Sequence, residues 1–170
     1  MNYRKATNAD IKDIMHVIDD AKQYLRDQGI DQWQNGMPNE VTIKNDLLTH
    51  ESYVFLINEQ IVGYLTINLG EEISYHTIYD GAWALPGSNH GTIHRTALLN
   101  SCRGQGLATC LFEVGEEVCR KHYKQSVRID THEDNRLMQH LIQKNGYQFC
   151  GIIRLEQDNT ERFVYEKILI

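Results

Sequence analysis

The chain reads as a single α/β domain over residues 1–170, a mixed sheet with helices on its faces. Three observations predict this. Segments with apolar residues at three- and four-residue spacing alternate with short β-branched and aromatic runs, in the order β-α-α-β-β-β-α-β-α-β-β. Two pairs of such runs are joined by short polar turns, at Asn58-Glu59-Gln60 and Asp158-Asn159-Thr160. An apolar run, Ile93 to Leu99, passes through a glycine-bearing turn, Cys102 to Leu107, into a helical pattern.

Met1 to Ala6 reads as a first strand. Thr7-Asn8-Ala9-Asp10 then resembles a capping box with Asp10 in the acidic position. The helix that follows carries Ile11, Ile14, Met15, Ile18, Ala21, Lys22 and Leu25 on one stripe, and Gly29 ends it. Gly29 to Asn39 is turn-rich yet holds Trp33 and Met37. Trp33 either plugs the edge of the core or forms a wall of a binding site. Val41 to His50 reads as a second helix, patterned on Val41, Lys44-Asn45 and Leu47-Leu48. Tyr53–Ile57 and Ile61–Leu69 are strands around a three-residue hairpin, with Gly63 marking a bulge or a close approach.

Gly70 to Gly91 is too long for a structureless run in a compact domain. Glu71 to Tyr79 suits a short helix, and Asp80-Gly81 and Pro86-Gly87-Ser88-Asn89 suit turns. Trp83, Tyr75, Tyr79, Glu71 and Glu72 make the stretch either a substrate-binding flap or a surface excursion anchored by Trp83. Thr92 to Leu99 is the central strand, and Leu107 to Tyr123 the helix behind the turn. Val127 to Thr131 is a fifth strand. Asp134 or Asn135 opens a helix with Leu137, Met138, Leu141 and Ile142 inward, and Gly146 stops it. Gln148–Leu155 and Glu161–Leu169 close the chain as an antiparallel pair.

Composition bounds the function. Hydrophobic residues at 41% and charged residues at 24% are ordinary for a globular chain. A net charge of −6 argues against nucleic acid as the main partner, because a basic footprint is expected there. No apolar run approaches a membrane span, and no signal-peptide pattern opens the chain, so neither a membrane partner nor export is expected. Cys102, Cys110, Cys119 and Cys150 show no C-x-x-C pairing and sit in apolar patterns, which suits buried thiols in a reducing cytoplasm. No metal site is expected.

The glycine turn carries the chemistry. A strand, a tight turn and a helix start expose unpaired N–H groups at the positive end of the helix dipole, a ready site for phosphate. Gly106 lets backbone approach a ligand, and Arg103 adds a cation. The turn is not the dinucleotide pattern, because Thr109 stands where a third glycine is needed, and the NTPase loop G-x-x-x-x-G-K-[ST] is absent. A plain strand-to-helix turn is the other reading.

Arg103-Gly104-Gln105-Gly106-Leu107-Ala108 resembles the R-x-x-G-x-[GA] acyl-CoA signature of the GNAT acetyltransferases. Ile93 to Leu98 is similar to the family's fourth strand. Asp130 to Tyr147 is similar to its fifth strand and following helix, with Asn145-Gly146-Tyr147 at the family's G-[FY]. The match is good over residues 92–152 and holds in outline elsewhere. It implies a mostly antiparallel sheet whose fourth and fifth strands splay apart around the pantetheine arm. It implies acetyl-CoA as co-substrate, with Arg103, Gly104, Gln105, Gly106, Leu107 and Ala108 at the pyrophosphate. Ala97 and Leu98 would lie along the arm, Leu98 N–H at the oxyanion, and Asn135 at the pantetheine or, alternatively, only as a helix cap.

The implied reaction is acetyl transfer to an amine, either a small molecule or a peptide or protein acceptor, in a ternary complex. Deprotonating a lysine-like ammonium at pH 7 costs about 4–5 kcal/mol, and an α-amino group about 1. Protonating the departing thiolate needs only roughly 2 kcal/mol of help. Many family members place a tyrosine acid four residues before the G-[FY] glycine, and here that position is Ile142. His94, on the central strand towards the acceptor side, and His132, nearer the expected sulfur, are the nearest substitutes as catalytic groups, the first for the amine proton and the second for the leaving group, each with a structural histidine as the alternative. A non-catalytic acyl-CoA-binding module and a nucleotide-binding protein remain as other readings, and a homodimer is compatible with all of them.

Overall fold

The computed structural model describes residues 1–87 and 89–169, so Ser88 of the expected Pro86–Asn89 turn lies outside the described residues. The elements follow the expected order: β1 (Asn2–Lys5), α1 (Ile11–Asp27), α2 (Glu40–Thr49), β2 (Glu51–Ile57), β3 (Gln60–Asn68), β4 (His90–Leu98), α3 (Ala108–Lys121), β5 (Ser126–Thr131), α4 (Arg136–Lys144), β6 (Gln148–Arg154) and β7 (Glu161–Ile168). They form one sheet in the order β1-β2-β3-β4-β5-β7-β6. Among the described residues β4 and β5 run parallel, and the other neighbouring strands are antiparallel.

The core lies on both faces of this sheet. One cluster packs α1 and Ile43 of α2 on Val54, Val62 and Tyr64. A second packs Leu111, Phe112, Val114 and Val118 of α3 and Ile142 of α4 on Phe55, Leu65, Ile67, Ile93, Val127 and Ile129. The start of α1 is set as the sequence suggests. Asp10 accepts the Thr7 N–H at 2.8 Å and pairs with both terminal nitrogens of Arg4 at 2.7 and 2.8 Å.

Four expectations are corrected. The β2–β3 hairpin has a two-residue turn, Asn58-Glu59, with φ of +48° and +66°, the pattern of a type I′ turn that matches strand twist. The Glu71–Tyr79 segment is one 3-10 turn, Ile73–Tyr75, because its residues are held by contacts to other strands and not by an amphipathic face. On α2 the buried positions are Ile43 and Asp46, while Val41 and Leu48 face outward. On α4 Ile142 is buried and Met138 and Leu141 pack against the second core cluster as expected, while Leu137 is exposed at the border of a cavity.

Two irregularities shape the sheet. Opposite Phe55 and Leu56 the β2–β3 register shifts beside Gly63, where an added Cβ would meet Phe55 Cβ at 3.2 Å and Ala97 O at 3.3 Å, so both the bulge and the close approach are present. In β4 two residues, Arg95 and Thr96, oppose the single Leu65 of β3. Arg95 has φ of +55°, and its Nε lies 2.9 Å from the buried Asp46 carboxylate. Such a bulge bends its strand. β4 and β5 pair only from His90↔Ser126 to Ile93↔Ile129, two residues short of that bulge, and beyond it they part.

Candidate active site

The opening between β4 and β5 joins two cavities. One, of about 320 Å³, lies between α1, the glycine turn and α4. The other, of about 460 Å³, lies on the opposite side, under the segment after β3 and the β6–β7 loop. Gln32, Trp33, Thr96 and Met138 border both.

The first cavity gathers most of the expected cofactor residues: Ala97, Leu98, Arg103, Gly104, Gly106, Leu107, Ala108 and Asn135. Gln105 is in the turn but outside the lining, its side chain donating to Ser101 O at 3.3 Å. The N–H groups of residues 104–107 meet no backbone acceptor among the described residues. Gly104 and Gly106 have φ of +75° and +74°, and a Cβ built on either meets nothing within 4 Å. Arg103 packs over the Tyr24 ring, its Cζ 3.7 Å from the centroid, and its buried Nε has no partner among the described residues. Free N–H groups, open space over two glycines and an orphaned guanidinium nitrogen fit a phosphate-bearing ligand. Leu137, Met138 and Leu141 add an apolar wall for a less polar arm.

Backbone direction along β4 completes this side. Leu99 N–H donates to Val62 O at 2.8 Å, while Leu98 sits opposite Gly63. Neighbouring residues of a strand point their N–H groups to opposite edges, so Leu98 N–H faces the opening left by β5. Asn135 does two things at once. Its Oδ1 caps α4 through Met138 N at 3.2 Å, and its Nδ2 donates to Gln32 Oε1 at 2.9 Å. It thereby ties the loop after α1 across the opening. Trp33 in that loop takes φ of +62°, an outlier for an aromatic residue, and walls both cavities, so it packs on the core edge and borders the site together.

The second cavity holds His94. Its Nε2 lies 2.8 Å from Glu72 Oε2, its ring stacks on His50, and Nδ1 has no partner among the described residues. Burial pushes the Glu72 carboxyl up, but the hydrogen bond and charge of His94 outweigh it and the net shift is downward. Glu72 is therefore an anion placed to accept the Nε2–H, and whenever the ring is neutral in that arrangement its lone pair lies on Nδ1. The flap divides its tasks. Glu72 and Tyr75 face the cavity, while Trp83 is held away from it, its Nε1–H donating to Tyr75 O at 3.1 Å under the Arg128 guanidinium at 3.9 Å. Arg128 is in turn paired with buried Glu166 at 3.0 Å.

His132 borders neither cavity. Its Nδ1 accepts Asp134 N–H at 3.1 Å and its carbonyl accepts Asn135 N–H, so it shapes the turn before α4. Sequence reasoning missed Gln32 and the pair Tyr75–Asp130, joined at 2.6 Å. Asp130 is the next-to-last residue of the fifth strand, beside the expected gap, which was a usable signal, whereas Gln32 carried none. Among the described residues no three His, Cys, Asp or Glu side chains gather as a metal site, and no helix is long and apolar enough to cross a membrane.

Comparisons place this architecture. The family model described as Acetyltransferase (GNAT) family matches residues 17–147. A crystal structure of a GNAT-family acetyltransferase from Streptococcus agalactiae is 34% identical, covers 98% of this chain and 94% of its own, and superposes with a TM-score of 0.87. The fold is also that of PaiA N-acetyltransferase from Thermoplasma acidophilum, solved in complex with coenzyme A, at 14% identity, 98% coverage of both chains and a TM-score of 0.74. A ribosomal-protein-alanine N-acetyltransferase from Brucella melitensis shares it at 16% identity, covering 99% of this chain and 100% of its own, with a TM-score of 0.71. A comparison with curated proteins returned no match.

Proposed function

The chain belongs to the GNAT acetyltransferase family, and on that premise we propose that it moves the acetyl group of acetyl-CoA to an amine by direct attack in a ternary complex. The observation that carries the reading is the meeting of two cavities at the unpaired edge of β4, with anion-binding groups in one and His94 in the other. The N–H groups of residues 104–107 and Arg103 hold the pyrophosphate. Ala97 and Leu98 present backbone to the arm, and Leu98 N–H donates to the developing oxyanion. Bound acetyl-CoA supplies the acyl carbon and takes the C–S electron pair away as thiolate.

His94 Nδ1 takes one proton from the acceptor ammonium, with Glu72 holding the ring and balancing the imidazolium. The nitrogen forms the new C–N bond as the C–S bond breaks, and its second proton leaves with the thiol. A second reading, a non-catalytic acyl-CoA-binding module, is favoured by one observation: Ile142, at the family's tyrosine position, is fully buried and offers no acid. The weak demand for thiolate protonation answers it.

The test is binding, then turnover. Acetyl-CoA and CoA should raise the melting temperature while ATP and NAD do not. Thiol should be released from acetyl-CoA when a panel of amines and peptides is added. Stabilisation by ATP or NAD alone would point to a nucleotide-binding protein, and binding of acetyl-CoA with no turnover on any acceptor to the module.

A further inference from the structure

We propose that Arg162 of β7 binds a carboxylate of the acceptor, and that the amines acetylated here carry that carboxylate several bonds from the reacting nitrogen. This rests on acetyl transfer being the activity of the same site.

Charge is the first argument. Among the described residues two guanidinium groups border the 460 Å³ cavity, those of Arg95 and Arg162. Arg95 is neutralised by Asp46, with Nε 2.9 Å and Nη2 3.4 Å from its two oxygens. Arg162 is only 8% exposed and pairs with no carboxylate among the described residues. The carboxylates around the cavity are engaged elsewhere. Glu72 is held by His94, and Asp130 takes the Tyr75 hydroxyl at 2.6 Å. Glu161 lies 3.6 Å from Arg154, and the exposed Asp158 takes the Thr160 N–H and hydroxyl at 3.0 and 2.7 Å.

Arg162 has one edge used and one edge open. Its Nη1 donates to Glu161 O at 2.8 Å and to Thr160 Oγ1 at 3.4 Å. Nε and Nη2 have no partner among the described residues, and those two N–H groups form the side-on fork of a guanidinium. A carboxylate matches that fork with two parallel hydrogen bonds, and it supplies the anion that a buried cation otherwise lacks.

Placement sets the length of the acceptor. Ile93↔Ile129 is the last paired register of β4 and β5, so His94 follows on β4 where Asp130 follows on β5. Asp130 in turn lies opposite Val164 of β7, and Arg162 shares the face of Val164 two residues away. His94 and Arg162 are thus two strands and two residues apart, roughly 10 Å across the sheet and 7 Å along it. The parting of β4 from β5 widens that gap. The Nη1 contacts with residues 160 and 161 hold the guanidinium over the start of β7, so it does not reach across β5. A carboxylate on the carbon bearing the nitrogen lies only about 2.5 Å from it. With a hydrogen bond of about 3 Å at each end, about 6 Å of acceptor spans the gap, as in an ω-amino acid of five carbons or a dipeptide.

The experiment uses three probes of one size: 5-aminopentanoate, its isomer norvaline, and pentylamine, which has no carboxylate. Wild type should show a kcat/KM for 5-aminopentanoate at least about tenfold above that of either other probe, the scale of one charge-assisted contact. Arg162→Gln should raise the KM for 5-aminopentanoate about tenfold or more and bring its kcat/KM close to that of pentylamine, with the acetyl-CoA KM unchanged. Arg162→Lys should restore part of the preference, because it keeps the charge and loses the fork. A purely structural Arg162 would instead lower the rates with all three probes alike. Calorimetry of the protein with CoA should show 5-aminopentanoate binding in wild type and at least about tenfold weaker binding in Arg162→Gln. If that variant does not fold, the wild-type ranking and Arg162→Lys carry the test. The inference is overturned if wild type uses pentylamine or norvaline as well as 5-aminopentanoate, if Arg162→Gln leaves the ranking intact, or if wild type with CoA does not bind 5-aminopentanoate. Each of these is read with acetyl-CoA binding intact. If wild type does not bind acetyl-CoA, the acetyl-transfer reading fails and this inference falls with it.

Discussion

Arg103 is packed differently from a rim cation free in solvent. It lies on Tyr24 with Nε buried and unpartnered among the described residues, and burial pushes its pKa down, though a guanidinium remains charged. An anion at the turn would complete its hydrogen bonds. Arg103→Ala should weaken CoA binding about tenfold or more by calorimetry, with little change for pantetheine, which has no pyrophosphate. Equal losses for both ligands would remove Arg103 from the phosphate site. Arg103→Lys should rescue poorly, because an ammonium cannot stack as a plane. His94→Ala should lower the rate about 10²-fold or more below about pH 8 at saturating acetyl-CoA. The deficit should shrink as pH rises and free amine becomes abundant, and a deficit constant from roughly pH 6 to 9.5 would leave His94 structural. Glu72→Gln should follow the same profile with a smaller loss. His132→Ala should leave the profile unchanged, since the ring caps a turn outside both cavities.

At the scale of elements, the glycine turn and the loop after α1 clamp the opening from two sides. A Cβ at residue 106 meets no protein atom within 4 Å, so its main cost is the left-handed φ, about 1–2 kcal/mol, plus whatever ligand space the side chain takes. Gly106→Val should therefore lower the melting temperature by some degrees yet keep the fold, and abolish CoA binding. A variant that binds acetyl-CoA as tightly as wild type would show that the turn does not hold phosphate. The loop after α1 depends on Gln32, whose Oε1 receives Asn135 at 2.9 Å and Thr131 at 3.4 Å. Because Gln32 and Trp33 border both cavities, Gln32→Ala should raise the KM for acetyl-CoA and for the acceptor together. A rise in only one would place the loop on that side alone.

For the whole molecule, the clearest pH dependence comes from His90 at the start of β4. It is 4% exposed, and neither ring nitrogen has a hydrogen-bond partner among the described residues. Burial, and then the charge of Arg128, hold its pKa down at about 4. The unfolded chain takes up that proton near pH 6.5, so stability present above pH 6.5 is lost as pH falls towards 4. The loss is about 3 kcal/mol, a substantial part of an ordinary folding free energy. Asp10, Glu51 and Glu72, each lowered on balance, add a further loss only at lower pH, as it falls through the usual carboxylate range and below. Denaturant melts from pH 8 to 4.5 should show the early decline, and His90→Phe, which keeps a ring against Tyr75 without the orphaned nitrogens, should flatten it. An unchanged slope in that variant would assign the decline to other groups.

The sequence alone determined the order of elements, the start of α1 at Thr7–Asp10 and the place of the glycine turn before α3, because each is encoded locally. Apolar spacing, a capping pattern and a glycine-bearing turn act over a few residues, and no distant contact overrides them here. The family resemblance added the splay of the fourth and fifth strands. Tertiary structure decided the rest. The Glu71–Tyr79 segment has no periodicity of its own, since Tyr75 answers to Asp130 and Trp83 to Arg128, partners roughly fifty residues away in sequence. The outward Val41 and Leu48 and the cavity-facing Leu137 look like core by composition, and only the neighbours of α2 and α4 say otherwise. Strand position alone offers both histidines as catalytic groups, His94 at the amine and His132 at the leaving thiolate. What separates them is that Glu72 reaches one across the second cavity, while the other turns back on its own backbone. Contacts of that kind depend on chain segments meeting in space, which no local pattern of residues records.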